Sequence, residues 1–308
     1  MISPSLVLLQ ALNGLQFGIM LFLFAAGLTL VLGIMNLVNL AHGSLYMIGA
    51  YYTASFAAWT GSFFLGLLLA LPAIFVTGVV IELVVLRPLY ARDHLDQVLA
   101  TFGIILFLNE LTRIVWGTGG LFVSAPPLLA GGVQLLPGII YPVYRLAIIV
   151  IGLVVALGLY LVVGHTKLGM LIRAGASNRE MVETLGVDIR LLFTTVFGIG
   201  AMLAALAGGL AGPLFSIDPG MGDPVLILAL VTIVIGGIGS IRGSFLAALV
   251  IGLVDTVGRA FLPSLFAAFL PRPVADAIGP AVASMLIYIL MAAVLFFRPQ
   301  GLFPARGA

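Results

Sequence analysis

The sequence predicts an all-α fold, a polytopic transmembrane helical bundle of eight or nine spans that carries one short cytoplasmic helix. Three observations predict it. The apolar set AVILMFWYC makes up 62% of the 308 residues, against roughly 45–50% in a soluble domain even with glycine counted. Charged residues are 8%, against about 25%, too few to clothe a water-soluble surface. The apolar residues also fall in continuous runs of about the 20 residues that a helix needs to cross ~30 Å of hydrocarbon, not in the alternating 9–11-residue segments of a barrel.

Taken in order, charge-poor runs lie near 12–35, 40–60, 63–85, 98–116, 146–163, 191–211, 244–258 and 281–297. A further run at 225–239 has only 15 residues, about 22 Å of helix, and is the ninth candidate span. Basic residues favour the cytoplasmic side. With nine spans and the N-terminus outside, the inner segments hold Arg87, Arg92, Lys167, Arg173, Arg179, Arg190, Arg242, Arg298 and Arg306, and the outer ends hold Arg113, Arg145, Arg259 and Arg272. Eight spans would move Arg298 and Arg306 outside. The expectation is a single transmembrane domain over 1–308. An outer loop at about 117–145, with Pro126, Pro127, Pro137 and Pro142, reads as an irregular cap, and an inner loop at about 164–190 holds four of the inner positive charges.

Composition also excludes chemistry. A net charge of +2 with no basic stripe gives no reason to expect nucleic acid. Without cysteine there is no thiolate site or disulfide, and His42, His94 and His165 are too scattered to suggest a metal cluster. No cofactor is expected. The first basic residue is Arg87, so the start lacks the positive region of a secretory signal. The only lysine, Lys167 in "GHTKLG", has neither the preceding glycine nor the following hydroxyl of a P-loop; the chain is not expected to hydrolyse ATP. Glu82, Glu110 and Asp255 are the acidic residues in spans that a proton relay would use. Each has an arginine close behind it (Arg87, Arg113, Arg259), so ion pairs anchoring helix ends are the preferred reading.

The inner loop contains a compact helix signature in "GMLIRAGASNREMVETLGVDIRLL". Ser177 followed by Glu180 fits a capping box, and Gly186 supplies the stop. The enclosed helix of about eight residues is too short to stand alone in water, so something must hold it. Met181, Val182 and Leu185 share a face; Arg179, Glu180 and Glu183 are polar. Two carboxylates argue against anionic lipid as the support. Docking onto a separate cytoplasmic protein is preferred, and self-packing against inner helix ends stays open.

Two glycine-rich turns are candidates for a path through the membrane. "NLAHGSLYMIGAY" places Asn36, Asn39, His42 and Ser44 between the first two spans, and "IGGIGSIRGSFLAALVIGL" joins the short run to the next span. Broken helices are tolerated in hydrocarbon only where the freed backbone is buried or lines a cavity, and they point to transport pathways. The candidates are therefore Asn39, His42, Gly43, Thr101, Asn109, Gly236, Gly237 and Gly239, with close helix packing the competing explanation for the glycines. Gly14 with Gly18, and Gly208 with Gly212, read as packing contacts. The repetition of His42-Gly43-Ser44-Leu45 in Arg242-Gly243-Ser244-Phe245 is a thin internal echo.

At these motifs the sequence resembles the permease subunits of the branched-chain amino-acid ABC importers, specifically the H-type of two related permeases. The resemblance runs over nearly the whole chain: "GLTLVLGIMNLVNLAHGSLYMIGAY", "LRPL" with "ATFGIILFLNE", "LGVDIR", "IGGIGSIRG" and "FRPQGLF" recur in the family's order. It implies a complex containing a second related permease, two cytoplasmic ATP-binding subunits and an extracytoplasmic solute-binding protein, seated in the lipid of a bacterial plasma (inner) membrane. It also implies that residues 173–187 lie on the loop that engages the ATPase, which makes Arg173, Ser177, Asn178, Arg179, Glu180, Met181, Leu185 and Gly186 the coupling candidates. Ser44 stands where the family often has an acidic residue, Arg242 replaces a common proline, and the short span lacks a frequent lysine. These departures bear on the substrate, not on the architecture.

The expected function is a non-catalytic permease subunit of an ABC importer for branched-chain or related amino acids. A urea or short-amide permease of the same superfamily is the near alternative. An ion-coupled secondary transporter acting alone is the rival from another class, weakened by the missing acidic relay. A membrane scaffold would not need glycine breaks inside its spans.

Overall fold

The computed structural model describes residues 4–136 and 139–303; Pro137 and Arg306 lie outside them. Eleven α-helices follow one another among the described residues: α1 (Pro4–Met35), α2 (His42–Thr60), α3 (Phe63–Ile81), α4 (His94–Trp116), α5 (Val143–His165), α6 (Lys167–Ser177), α7 (Arg179–Thr184), α8 (Ile189–Ala211), α9 (Gly222–Gly236), α10 (Ile241–Phe266) and α11 (Arg272–Phe297). Seven of them are long and apolar enough to cross a membrane: α1, α3 with its continuation to Leu89, α4, α5, α8, α10 and α11. α2 is 19 residues long but diluted by serine, threonine and tyrosine, and α9 has 15 residues. These nine helices correspond to the nine apolar runs, while α6 and α7 occupy the inner loop.

The apolar runs stop at charges and prolines, but the helices do not. α10 continues past Asp255 because Arg259, four residues on, pairs with it at 2.8 Å and also donates to Ser284 at 2.8 Å. That same-face spacing neutralises the charge within one helix turn. α11 carries Pro280 inside it. The outer loop differs from the irregular cap that its prolines suggest. Beyond the 3-10 turn Pro127–Leu129 it forms an antiparallel hairpin of β1 (Gly132–Leu136) and β2 (Ile139–Pro142), pairing Val133 with Tyr141 and Gln134 with Ile140. The short run of apolar and polar residues between the prolines was the signal for it.

α1 is the central post, buried over most of its length, and α11 is the most peripheral span. α10, α8, α5 and α9 pack around α1. The α1–α10 seam depends on small residues: a Cβ on Gly14 or Gly18 would run into the backbone of Gly252, Leu253, Ala248 or Leu249. Such small-residue seams let helix backbones approach where apolar transfer contributes no drive between them. Polar groups on α1 are satisfied internally. Asn13 receives Arg145 at 2.6 Å, and Thr29 bonds Ala25 O at 2.7 Å and the Ser244 hydroxyl at 2.8 Å.

Contacts along α1 also fix depth. Arg145, at one end of α5, meets Asn13; at the other end Gly175 of α6 faces Ile34. Phe24 lies midway between those two levels. The end marked by Ile34 also gathers α6, α7, the 237–240 turn and residues 298–303.

Replacing Gly18 with leucine is expected to overfill the α1–α10 seam and cost about 1–3 kcal/mol. Thermal unfolding in detergent, followed by loss of the monodisperse chromatographic peak, measures it; an unchanged midpoint would mean the seam is not tight.

Candidate functional site

The first feature is a break at mid-depth. α1 ends at Met35, Asn36 takes a left-handed φ of 51°, and the chain climbs back inside the protein before α2 starts. Leu37, Asn39 and Ala41 are almost completely buried there. Asn39 Oδ1 accepts the Ala41 N–H at 3.1 Å, so this side chain starts the helix in the role that water would play outside a membrane. His42 is fully buried, its Nε2 lies 3.3 Å from Phe24 O, and its ring meets the Phe24 ring edge-on at 4.9 Å. α2 therefore begins beside the midpoint of α1.

A second break meets the first. Past α8, residues 212–221 descend along α2. Tyr51 donates to Ile217 O at 3.2 Å, Gly220 N–H meets Met47 Sδ at 3.1 Å, and Gly222 then abuts Gly43 so closely that neither admits a Cβ. Leu121 and Ile217 exchange both backbone hydrogen bonds at 3.0 and 2.9 Å, tying the outer loop to this segment. α9 thus starts at mid-depth and runs to the end that holds α7, while α2 runs the other way. The two helices share a start.

Each path candidate has a defined place. Asn39, His42 and Gly43 are brought together at the break. Asn109 reaches the head of α9: its Nδ2 and Asp223 Oδ2 both lie within about 4 Å of a Cβ built on Gly220. Thr101 is fully buried on α4 with its hydroxyl on Val98 O at 3.0 Å. Gly236, Gly237 and Gly239 gather at the far end of α9. Gly236 touches Gly243, Gly237 (φ 106°) touches the carbonyls of Gln300 and Phe303, and Gly239 touches Gly33. Leu302 and Phe303 donate their N–H groups to Ile235 O and Gly236 O at 2.9 and 3.0 Å, so the closing "FRPQGLF" segment caps α9. Arg242, the departure from the family's proline, stacks over Tyr160 at 5.0 Å. Asp218 and Asp223 were missed by sequence reasoning. They are exposed at the re-entrant turn, and their signal was two carboxylates inside the otherwise apolar "DPGMGDPVLILAL".

The third feature is the short helix α7. Its N-cap is Asn178, whose Oδ1 accepts Met181 N–H at 2.9 Å. Ser177 does not form the expected capping box, because α6 continues through it and leaves Asn178 at the junction. The helix is six residues long, and Gly186 (φ 83°) terminates it as expected. Val182 is buried, whereas Met181 and Leu185 are 60% and 75% exposed. Arg173 donates to Val163 O, bracing α6 on α5, and Arg179 lies 5.6 Å over the Phe193 ring of α8.

Behind Phe193 sits the strongest polar cluster. Tyr90 meets Phe193 edge-on at 5.5 Å and donates to Glu82 Oε1 at 2.7 Å. Burial and the Glu82 carboxylate hold the Tyr90 phenol well above its usual range, so it stays a donor. Arg87 binds Glu82 through Nε and Nη2 at 3.2 Å each, and the Thr194 hydroxyl adds a bond at 2.9 Å. The five-residue π-turn Glu82–Leu86 re-aims Arg87 back at the carboxylate. With Glu110–Arg113 at 2.7 Å and Asp255–Arg259, each of Glu82, Glu110 and Asp255 carries the arginine partner its spacing suggested.

Comparison with known proteins then identifies the architecture. The family model described as the branched-chain amino acid transport system / permease component matches residues 10–295. The chain belongs to this family. It is 33% identical to the high-affinity branched-chain amino acid transport system permease protein BraD of Pseudomonas aeruginosa, over 95% of this chain and 94% of that protein. It is 29% identical to LivH of Escherichia coli K12, over 82% and 86%. A probable LivH of Methanocaldococcus jannaschii is 28% identical over 92% and 88%. No solved structure gives a match.

In this member of the family the Glu82 cluster joins α3 to α8 directly behind α7. Glu82→Gln leaves the Arg87 guanidinium without its buried counter-charge and is expected to cost about 3–5 kcal/mol. Thr194→Val is expected to cost about 1 kcal/mol. The two melting midpoints in detergent measure both, and equal small shifts would mean the cluster is solvent-screened.

Proposed function

We propose that this permease is the membrane-spanning, non-catalytic subunit of an ABC importer for branched-chain or related amino acids in a bacterial inner membrane. A second related permease completes the channel, two cytoplasmic ATP-binding subunits supply the energy, and an extracytoplasmic binding protein delivers the solute. Excess basic charge places the α7 end in the cytoplasm.

The observation that carries this reading is α7: a capped, braced helix that leaves Met181 and Leu185 bare between exposed Glu180 and Glu183. Bare apolar side chains on a short polar helix suit a protein partner better than lipid. Arg173, Ser177, Asn178, Arg179, Glu180, Met181, Leu185 and Gly186 form the coupling element. A push on α7 travels through Phe193 to α8 and through Tyr90 and Glu82 to α3. In this reading the shared helix start at Asn39, His42 and Gly43, the flank at Thr101 and Asn109, and the hinge at Gly236, Gly237 and Gly239 belong to the path and its gate. A binding protein that selects the solute outside leaves the path itself with little need for charge.

Leu185→Asp and Glu180→Arg are expected to lower ATP-dependent uptake at least tenfold in the reconstituted complex while the permease still inserts and ATP hydrolysis continues. Wild-type uptake by both variants would refute the coupling role. Solute movement by the purified permease alone in liposomes would refute the importer reading itself.

A further inference from the structure

The re-entrant start of α9 also walls a cavity of ≈ 260 Å³, separate from the buried His42–Gly43 contact. That is slightly below the roughly 300–1,000 Å³ of sites for drug-sized molecules, the scale of one small solute. α1 contributes Met20, α2 contributes Tyr46, the descending segment contributes Phe215 and Ser216, and α9 contributes Val225 and Leu228. The walls are apolar except for the two hydroxyls. Tyr46 is only 4% exposed, yet its hydroxyl has no hydrogen-bond partner among the described residues, unlike Tyr51 and Tyr144, whose hydroxyls bond Ile217 O and Leu210 O. The hydroxyl oxygen itself is not sealed in the packing. Here it opens on a cavity whose other rim is the first turn of α9.

We propose that this cavity receives the aliphatic side chain of the transported amino acid and that the Tyr46 hydroxyl donates to its carboxylate. The assignment rests on the importer reading above and names the solute class for it. Urea or a sugar would set donors and acceptors directly against Met20, Phe215, Val225 and Leu228, whereas an amino acid sets only its aliphatic chain there and keeps its ammonium at the open rim, where the first turn of α9 carries exposed Asp223. The position also suits a path. Here α9 is bounded by α1 on one side, with Asn109 of α4 close to its head, and Asp223 and Ile227 are exposed.

The test uses the complete importer in proteoliposomes, with saturating binding protein, ATP inside, and labelled leucine, alanine and urea outside. Val225→Phe fills the cavity, and the leucine-to-alanine uptake ratio is expected to fall about tenfold, as a crowded apolar pocket discriminates by size. Leu228→Ala widens it and is expected to move the ratio the other way. Tyr46→Phe removes an oxygen that bonds nothing in the protein, so folding is preserved. Uptake of both amino acids is expected to drop about tenfold while the melting midpoint of the permease stays at the wild-type value. Leucine-to-alanine ratios equal to wild type in both cavity variants, with full uptake by Tyr46→Phe, would overturn the site and leave the importer reading standing. A wild-type complex that moves urea and neither amino acid would overturn the importer reading, and the site with it.

Discussion

The constraint on which the rest depends is that backbone polar groups inside hydrocarbon must find partners within the protein. Three stretches of this chain leave the helical ladder at or near membrane depth, and each is paired differently. At 36–41 the Asn39 side chain stands in for the missing carbonyl. At 212–221 the Tyr51 hydroxyl, the Met47 sulfur and the strand-like bridge to Leu121 take the exposed groups. At 237–240 the Ser240 hydroxyl accepts Gly243 N–H at 3.1 Å, and residues 302 and 303 cover the end of α9. Because each break is closed by its own side chains or by neighbouring segments, the interior can hold interrupted helices. Once α2 and α9 both start at mid-depth, their neighbours must wrap around the gap, and α1 is left buried at the centre.

The glycines follow from the same constraint. Two helix starts that meet at mid-depth bring backbone against backbone, and the Gly43–Gly222 contact has no room for a side chain. The seam of Gly14, Gly18 and Gly252 does the same for the two long helices that frame the break. Small residues here serve close approach, and close approach creates the recess beside Tyr46. Close packing is what these glycines serve in the fold.

At the basic end a different economy operates. α7 is too short to persist on its own, and it is held by the Asn178 cap, buried Val182 and the Arg179–Phe193 stack. Phe193 also carries Tyr90, and through it Glu82, Arg87 and Thr194. Phe193 thus links α7 to α8 and, through Tyr90 and Glu82, to α3.

Much of this was legible in one dimension. Composition and run length set the all-α membrane bundle, because hydrocarbon thickness converts directly into residues per span. The arginine spacing gave the three ion pairs, and Gly186 marked the stop of the short helix α7. Local pattern misled where two readings of one segment competed. Ser177 has the right neighbour for a capping box but is absorbed into α6, and the loop between α4 and α5 pairs into a hairpin. The depth at which α2 and α9 begin was not legible at all. It is set by what Gly43 meets across more than 170 residues of chain, and only tertiary packing could place the unpaired Tyr46 hydroxyl over a cavity walled by α1 and α9. Sequence determines how much of the chain must be in the membrane; the fold decides where inside it the backbone is allowed to break.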